Sequence, residues 1–185
     1  MDLNILLSQY QSLLPWNKSR LKCFIQMILG LIISSSVQQH KCSLGFEGAS
    51  QHDSVCRRIK NFLGKFTFDA SDMAGALVDV CGLKGPLHLA LDRTNWKFGC
   101  VDINLLVLAV VISGQFSIPL FWKALPKKGN SNATERIDLM NVFIKTFGAK
   151  SIASFSADRE LIGKAWIDFL VAQKIPFFIV PKRLG

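Results

Sequence analysis

The chain has 185 residues, which suits one domain of ordinary size or a small domain joined to part of a larger one. Half of the residues are hydrophobic, and this composition argues against global disorder. The 22 basic and 13 acidic residues leave a net charge of +9, which favours a polyanionic partner, with nucleic acid the first candidate.

The cysteines and the first residues bear on the compartment. The five cysteines are scattered, without the close pairs of a zinc-finger or redox motif, so we expect buried small hydrophobic residues in a reducing compartment. Met1 is followed by Asp2, and the first basic residues come too late for the charged start of a signal peptide. Export is therefore not expected.

Residues 1–82 are predicted to form an all-α region. Apolar residues recur at helical spacing in five segments, residues 3–14, 19–36, 42–46, 50–63 and 69–80. Asp69 or Ser71 is the predicted cap of the last helix. Gly82, Gly85 and Pro86 then punctuate the chain, and we place the domain boundary there.

Two of these helices have the outline of a helix-turn-helix. A short helix over 42–46, a tight connection over 47–49 and a basic helix over 50–63 follow in the required order. The basic helix carries three predicted DNA-binding residues, Arg57, Arg58 and Lys60. The alternative is that these side chains form only the solvated face of an amphipathic helix.

From residue 86 the pattern changes to short apolar strands with helices between them. The predicted strands cover residues 87–91, 103–112, 116–125, 152–157 and 176–180, and the predicted helices cover 133–147 and 160–173. This order implies a mixed sheet with helices packed on it. We therefore predict an α/β domain over residues 86–185.

One apolar run is long enough to be tested as a membrane span. Residues 103–122 carry no charge and have the hydropathy of a transmembrane segment. However, residues 113–115 are typical of a turn, Pro119 follows, and both halves are rich in β-branched or aromatic residues. We predict a buried β-hairpin and no membrane partner, with a membrane-associated protein as the alternative.

Two aspartates follow short apolar strands of the predicted sheet. Asp92 comes after strand 87–91, and Asp158 comes after strand 152–157. Active sites of open α/β sheets collect at the carboxyl ends of strands, so neighbouring strands would bring both carboxylates to one rim. Such oxygen ligands suit Mg²⁺, and a pair of ions can stabilise phosphoryl displacement. Alternatively, Asp92 is a turn residue and Asp158 caps a helix.

A loop rich in glycine and asparagine carries Lys127 and Lys128. These lysines suit phosphate contact near the predicted rim, and a solvated loop between hairpin and helix is the alternative. Trp96 and Trp122 could stack on distorted or flipped bases, although tryptophan in a sheet more often belongs to the core.

Four segments carry a resemblance to a known family. They are residues 89–99 (LALDRTNWKFG), residues 155–163 (FSADRELIG), residues 120–136 with the pieces LFWK, KKGNSN and ER, and residues 54–62 with Arg57 and Arg58. The first two segments resemble the first and second catalytic-aspartate blocks of bacterial insertion-sequence transposases of the IS-four family. The other two are similar to that family's joining and amino-terminal segments, so the resemblance covers nearly the whole chain.

The resemblance implies a ribonuclease-H-like mixed sheet, incomplete here, preceded by an all-α region. It also implies a DDE-type transposase whose Asp92 and Asp158 hold two metal ions, Mg²⁺ or Mn²⁺, for cleavage and strand transfer at transposon ends. The partners would be inverted-repeat ends and target DNA, and the family implies a homodimer in the bacterial cytoplasm, associated with the nucleoid. Arg136 and Arg159 complete the predicted DNA-binding residues, Arg159 as a phosphate contact.

The sequence departs from the family pattern in its last part. Such transposases take a third carboxylate, a glutamate, from a downstream Tyr, Arg, Glu, Lys pattern, which nothing after Val180 matches. Residues 180–185 are interpreted as an out-of-frame tail. We therefore expect a truncated, inactive fragment, with a non-catalytic remnant that binds transposon-end DNA as the alternative. A different nuclease of the same fold would need its third acid elsewhere, and Asp102 and Asp138 are the candidates.

Overall fold

The computed structural model describes residues 3–48 and 51–180. The tail over residues 181–185 and part of the connection predicted at 47–49 lie outside the described residues. By its internal contacts the chain divides into two compact units, Met1–Ala76 and Leu77–Gly185. The first unit is helical, and the second contains the sheet.

The helices of the first unit begin where the sequence supplies caps. The elements are α1 (Leu3–Gln11), α2 (Lys18–Ser34), α3 (Gln39–Cys42), a 3-10 turn (Ser43–Gly45), α4 (His52–Lys65) and α5 (Ala70–Val80), which continues into the second unit. The Asn17 side chain accepts a hydrogen bond from the Arg20 backbone N–H at 2.9 Å and so begins α2. Of the two predicted caps for α5, Asp69 accepts the backbone hydrogen bonds, from Ser71 and Asp72.

Aromatic rings form part of the core of the helical unit. Trp16 packs edge-on against Phe24 and Phe66, with ring centroids 5.2 and 4.8 Å away. Leu21 and Ile25 of α2 are buried in the same cluster. These contacts tie the segment before α2 to the end of α4, and their stability comes mainly from apolar surface removed from water.

Glycine lets α2 approach the end of α3 and the following 3-10 turn backbone to backbone. A Cβ on Gly30 would lie 1.9 Å from the Cys42 carbonyl oxygen, and a Cβ on Gly45 would lie 2.2 Å from the Gly30 nitrogen. Both distances are far shorter than a real Cβ contact. The two glycines are therefore required for this packing.

The second unit contains a five-stranded mixed sheet. Its elements are β1 (Leu87–Phe98), β2 (Val101–Ser113), β3 (Phe116–Ala124), α6 (Ala133–Phe147), β4 (Ile152–Asp158), α7 (Lys164–Ala172) and β5 (Phe177–Val180). The strand order is β3-β2-β1-β4-β5. Strands β1, β2 and β3 pair antiparallel, whereas β4 pairs parallel to both β1 and β5. This mixed sheet after a helical region confirms the predicted fold class of a mixed α/β sheet preceded by an all-α region.

Both helices of the second unit cover the same face of the sheet. Phe121 of β3 packs edge-on against Phe143 of α6, and Phe155 of β4 against Trp166 of α7, with centroid distances of 6.3 and 5.5 Å. The buried strand residues paired with these rings include Leu108 and Leu89. Since side chains alternate along a strand, the residue after each of these points to the other face.

Strand β1 is longer than the sequence predicts. The predicted strand ends at Leu91, but β1 continues through Asp92 to Phe98, and Gly99, with φ of 61°, makes the turn into β2. The continuous ladder with β2 holds this polar stretch extended, although it has no apolar alternation. Asp92 is therefore a strand residue, and the interpretation as a turn residue is wrong.

The apolar run over residues 103–122 forms most of the β2–β3 hairpin, as predicted, and not a helix. Within the described residues, no single helix has the length and apolar composition to cross a membrane. The helix α2 and the Gln39–Gly45 segment have the required length and apolar composition only when they are taken together, and the pair is bent by 104°.

Candidate functional site

Asp92 and Asp158 lie side by side on neighbouring parallel strands. Leu91 of β1 pairs with Ala157 of β4, and the two aspartates occupy the next position on each strand. Leu91 and Ala157 are buried on the helix-covered face, and both aspartates are exposed. Neighbouring strands lie about 4.8 Å apart and side chains alternate along a strand. Both carboxylates therefore project together from the face of the sheet opposite to α6 and α7, here called the uncovered face.

The two aspartates border a shallow cleft of about 330 Å³. Its lining comes from β1 and β4 and consists of Ala90, Leu91, Asp92, Ser156, Ala157 and Asp158. Ala90 and Ser156 pair with each other and lie on the same face as the acids, two residues earlier on each strand. Their small side chains leave space beside the carboxylates for a ligand.

The carboxylate oxygens of Asp92 and Asp158 fit a hard divalent cation. Mg²⁺ is usually held in proteins by one or two carboxylates, with water and substrate phosphate completing the octahedron. Asp158 begins the following 3-10 turn without a side-chain cap hydrogen bond, so its carboxylate is not engaged as a helix cap. Within residues 3–48 and 51–180, no group of three or more His, Cys, Asp or Glu side chains is placed to hold a metal. The site therefore offers two carboxylates.

Asp102 and Asp138 do not supply a third acid to this site. Asp102 pairs with Lys97 across the β1–β2 ladder, five residues beyond Asp92, or roughly 16 Å along the strand. Its carboxylate contacts Lys128 Nζ at 3.1 Å, and the Asp138 carboxylate contacts Lys123 Nζ at 2.9 Å. The interpretation of the chain as a complete nuclease through either residue is therefore wrong for the described residues.

Arg93 and Glu160 join the two segments that carry the acids. Arg93 follows Asp92 directly, and Glu160 lies two residues after Asp158. Arg93 Nη2 donates to Glu160 Oε1 at 3.2 Å and to Oε2 at 3.5 Å. Sequence reasoning gave neither residue a role. The parallel ladder of β1 and β4 ends at Leu91 and Ala157, so both residues follow the same end of that ladder, and only its register brings them together.

The structure contradicts the prediction that Arg136 binds DNA. Its side chain is buried, and Nε donates to Ser131 Oγ at 2.8 Å while Nη1 donates to the Leu161 carbonyl oxygen at 2.7 Å. Nη2 donates to the Ser131 carbonyl oxygen. Burial lowers the pKa of the guanidinium, and the charges of Glu135 and Glu160 act in the opposite direction. Arg136 therefore ties the start of α6 to the turn after Asp158 and cannot reach a phosphate.

The loop with Lys127 and Lys128 is fixed from inside the protein. The buried Asn104 side chain donates through Nδ2 to the carbonyl oxygens of Lys127 and Gly129, at 3.0 and 2.9 Å. Lys127 Nζ contacts Glu135 at 2.8 Å, and Lys128 Nζ contacts Asp102. Both lysines are thus ion-paired, and their predicted role in phosphate contact stays a prediction.

Glu135 has a second structural task at the start of α6. Its carboxylate accepts the Asn132 backbone N–H at 2.7 Å, and the Asn132 side chain accepts the Glu135 N–H at 2.9 Å, which forms a capping box. Desolvation alone would raise the pKa of Glu135, but the hydrogen bonds from Lys127 and Asn132 and the lysine charges lower it below the ordinary value. The charged form of the Glu135 carboxylate is therefore the one that stabilises the start of α6.

The basic helix α4 has one buried and one solvated face. Val55, Ile59 and Phe62 are buried, and the intervening Arg57, Arg58 and Lys60 are exposed. Arg58 lies over the Phe46 ring at 5.9 Å from its centroid. The predicted helix-turn-helix includes residue 49, the last of its connection, and residue 50, the first of its second helix, and both lie outside the described residues. DNA binding through this helix stays a prediction, as does phosphate contact by the exposed Arg159.

Trp96 and Trp122 do not belong to the core. Their side chains are 44% and 63% exposed, against the general tendency of tryptophan in sheets. Trp122 and Asp92 both pair with Val107, so the three residues form one row across the sheet on the uncovered face. A large aromatic surface thus lies beside the acids.

Three solved structures are similar to parts of the chain. The HTLV-2 integrase catalytic core domain in complex with magnesium matches in a dimeric form, with 17% identity over 53% of this chain and 63% of that chain and a TM-score of 0.39. Its trimeric form matches with 16% identity over 53% and 62% and a TM-score of 0.40. The simian T-cell lymphotropic virus intasome in complex with PP2A regulatory subunit B56 gamma matches with 16% identity over 85% and 52% and a TM-score of 0.42.

The chain spans less than two thirds of the length of each of these structures. No protein-family model matches the sequence, and no curated protein matches it.

Proposed function

We propose that this chain acts in DNA transposition as a DDE-type transposase of the IS-four family, or as part of one. The observation that carries the proposal is the adjacency of Asp92 and Asp158 on parallel strands, with both carboxylates exposed at one cleft. The sequence blocks around the two acids add support through their resemblance to that family. Mg²⁺ or Mn²⁺ is the proposed cofactor, because oxygen ligands in this number suit either ion.

In this proposal each element of the site has a defined task. Asp92 and Asp158 hold the cations, which when bound would neutralise charge on the scissile phosphate. The exposed Arg159 side chain, next to Asp158, contacts a phosphate oxygen of the DNA. Within the described residues no third acid joins the pair, so we do not expect strand transfer from these residues alone.

The proposed partners and location follow from the same activity. The DNA ligands are transposon ends and target DNA, and a homodimer would hold two ends together. Arg57, Arg58 and Lys60 form an exposed basic surface on α4 that suits the phosphate backbone. A cytoplasmic location with the nucleoid is part of the proposal.

Cation binding by the 185-residue chain tests the catalytic part. Mn²⁺ titrated into the protein and followed by the EPR signal of the free ion should give a saturable site. Asp92→Asn and Asp158→Asn should each remove that site, because an amide lacks the charge that holds the ion. Asp102→Asn is the matched control and should leave binding unchanged. Equal Mn²⁺ binding in all four proteins would contradict the proposal.

The exposed basic surface of α4 favours a second candidate, a DNA-binding protein without catalysis. It requires salt-sensitive DNA binding that is unaffected by Asp92→Asn and Asp158→Asn, with no Mn²⁺ site in the wild-type chain. The transposase proposal requires the Mn²⁺ site in addition. The same titration therefore separates the two.

A further inference from the structure

The turn after Asp158 is held at two points by arginines from other elements. Arg93 of β1 binds the Glu160 side chain, and Arg136 of α6 binds the Leu161 carbonyl oxygen. The turn itself is a single 3-10 turn, Arg159–Leu161, which has few hydrogen bonds of its own. Its position, and with it the end of β4, therefore depends on these outside contacts.

The contact between Arg93 and Glu160 lies on the side of the sheet opposite to the two acids. Arg93 pairs with Leu106, which is fully buried beneath the helices, whereas Asp92 points to the uncovered face. The Arg93 side chain is only 12% exposed, and that of Glu160 is 38% exposed. Ion pairs at exposed sites contribute little, but this guanidinium is largely withdrawn from water.

Glu160 is the hydrogen-bonding partner on which Arg93 depends. Arg93 Nε and Nη1 are buried and have no partner among the described residues, so its contact with Glu160 runs through Nη2. Loss of the carboxylate would leave a buried guanidinium without a counter-charge, which is strongly unfavourable. The pair is therefore held closed, and it fixes the spacing between the end of the parallel ladder on β1 and the turn after β4.

We propose that Arg93 and Glu160 are positioning residues that set the relative placement of the Asp92 and Asp158 carboxylates and hence the affinity for the divalent cation. The inference rests on the proposed function, in which those carboxylates share a cation. Neither positioning residue touches the ion, because both act from the helix-covered side. Supporting partners of metal ligands typically change metal affinity by about 10- to 100-fold when they are removed.

A direct role for Glu160 as a metal ligand is the competing explanation. In that case Glu160→Gln would remove a ligand and weaken cation binding, whereas Arg93→Met, which leaves the carboxylate in place, would not. If the two residues position the acids, both substitutions weaken binding. Exchange of the partners in the double variant Arg93→Glu, Glu160→Arg would then restore it.

The experiment measures the Mn²⁺ dissociation constant of the 185-residue chain by EPR, at a temperature where circular dichroism reports every variant folded. Arg93→Met and Glu160→Gln should each raise the dissociation constant about tenfold. The exchanged pair should return it to within about threefold of wild type. Asp138→Asn, which breaks the ion pair with Lys123, is the matched control and should leave it unchanged.

The outcomes separate the positioning role from the proposed function. Wild-type binding that is lost in Asp92→Asn but unchanged in Arg93→Met and Glu160→Gln overturns the positioning role alone. Weakening in Glu160→Gln without weakening in Arg93→Met, and without recovery in the exchanged pair, overturns it in favour of a direct ligand. Absence of Mn²⁺ binding in the wild-type chain removes the proposed function and the positioning role together. Arg93→Gln, which removes the charge but keeps a polar side chain, covers the case in which Arg93→Met does not fold.

Discussion

The basic residues of the sheet unit and those of α4 have different surroundings. In the sheet unit Arg136 is buried against carbonyl groups, and Lys127 and Lys128 contact Glu135 and Asp102. On α4 the three basic side chains are exposed, and within the described residues no ion pair is formed by any of them. Net charge counts all these residues equally. Only the free ones attract a phosphate without first giving up a partner.

Among substitutions of these basic residues, Arg136→Ala should have the largest effect, a loss of folding stability. The substitution leaves the carbonyl oxygens of Ser131 and Leu161 buried without donors and opens a cavity. We expect a loss of about 3 kcal/mol or more in the free energy of unfolding. Urea unfolding followed by circular dichroism measures it, and Arg159→Ala, at an exposed position, is the control. Equal stability of the two variants would mean that Arg136 is free to bind a ligand.

The triple variant Arg57→Ala, Arg58→Ala, Lys60→Ala should weaken DNA binding without loss of stability. Three phosphate contacts fewer should lower the affinity about tenfold or more and reduce the slope of log affinity against log salt by roughly 2 to 3. Fluorescence anisotropy with labelled duplex DNA at several salt concentrations gives both values. A matched triple variant at the ion-paired Lys123, Lys128 and Lys164 should change the slope less. Equal slopes for the two triple variants would remove the distinction between free and ion-paired basic residues.

The sequence predicts most of the sheet because its apolar strands and helices have clear periods. Helix α6 is predicted at the observed bounds, since Asn132 and Glu135 form a capping box and an apolar stripe follows. The second half of β1 is missed because its polar residues have no alternation and are held extended by the ladder with β2. Helix α7 begins at Lys164, later than predicted, because a 3-10 turn intervenes. In β1, therefore, tertiary pairing overrides the local pattern.

The two acids of the candidate site can be predicted from the sequence, but the contacts of the residues around them cannot. Asp92 and Asp158 follow apolar strands, and this position can be read from the sequence alone. The burial of Arg136 cannot be read from the sequence, because a lone arginine on an amphipathic helix is usually solvated. Its partners are the nearby Ser131 and the carbonyl oxygen of Leu161, which lies 25 residues further along the chain. Likewise, the Arg93–Glu160 contact joins residues 67 positions apart and requires the register of β1 and β4.

Glu135→Ala should cost about 1 kcal/mol at neutral pH, because it removes the capping box of α6 and the partner of Lys127. The folded-state pKa of Glu135 is lowered from its ordinary value of 4.5. Its contribution is therefore complete above that value and is lost as the pH falls through the lower, folded-state pKa. The difference in unfolding free energy between wild type and Glu135→Gln, measured from pH 7 down to pH 3, should shrink as the pH falls below 4.5. A constant difference across this range would show that the charge of Glu135 is unimportant.

Lys128→Ala should have the smallest effect, although its ion pair has nearly the same length as that of its neighbour. The Lys128 side chain is 81% exposed and its Asp102 contact is 3.1 Å long, whereas Lys127 is 35% exposed with a 2.8 Å contact to Glu135. An exposed pair is screened by water and salt, so we expect a change of less than about 0.5 kcal/mol for Lys128→Ala and a larger one for Lys127→Ala. Urea unfolding of both variants at low and high salt measures the difference. If Lys128→Ala instead destabilises the protein as much as Lys127→Ala, then Lys128 is committed to Asp102 and is not available to a phosphate.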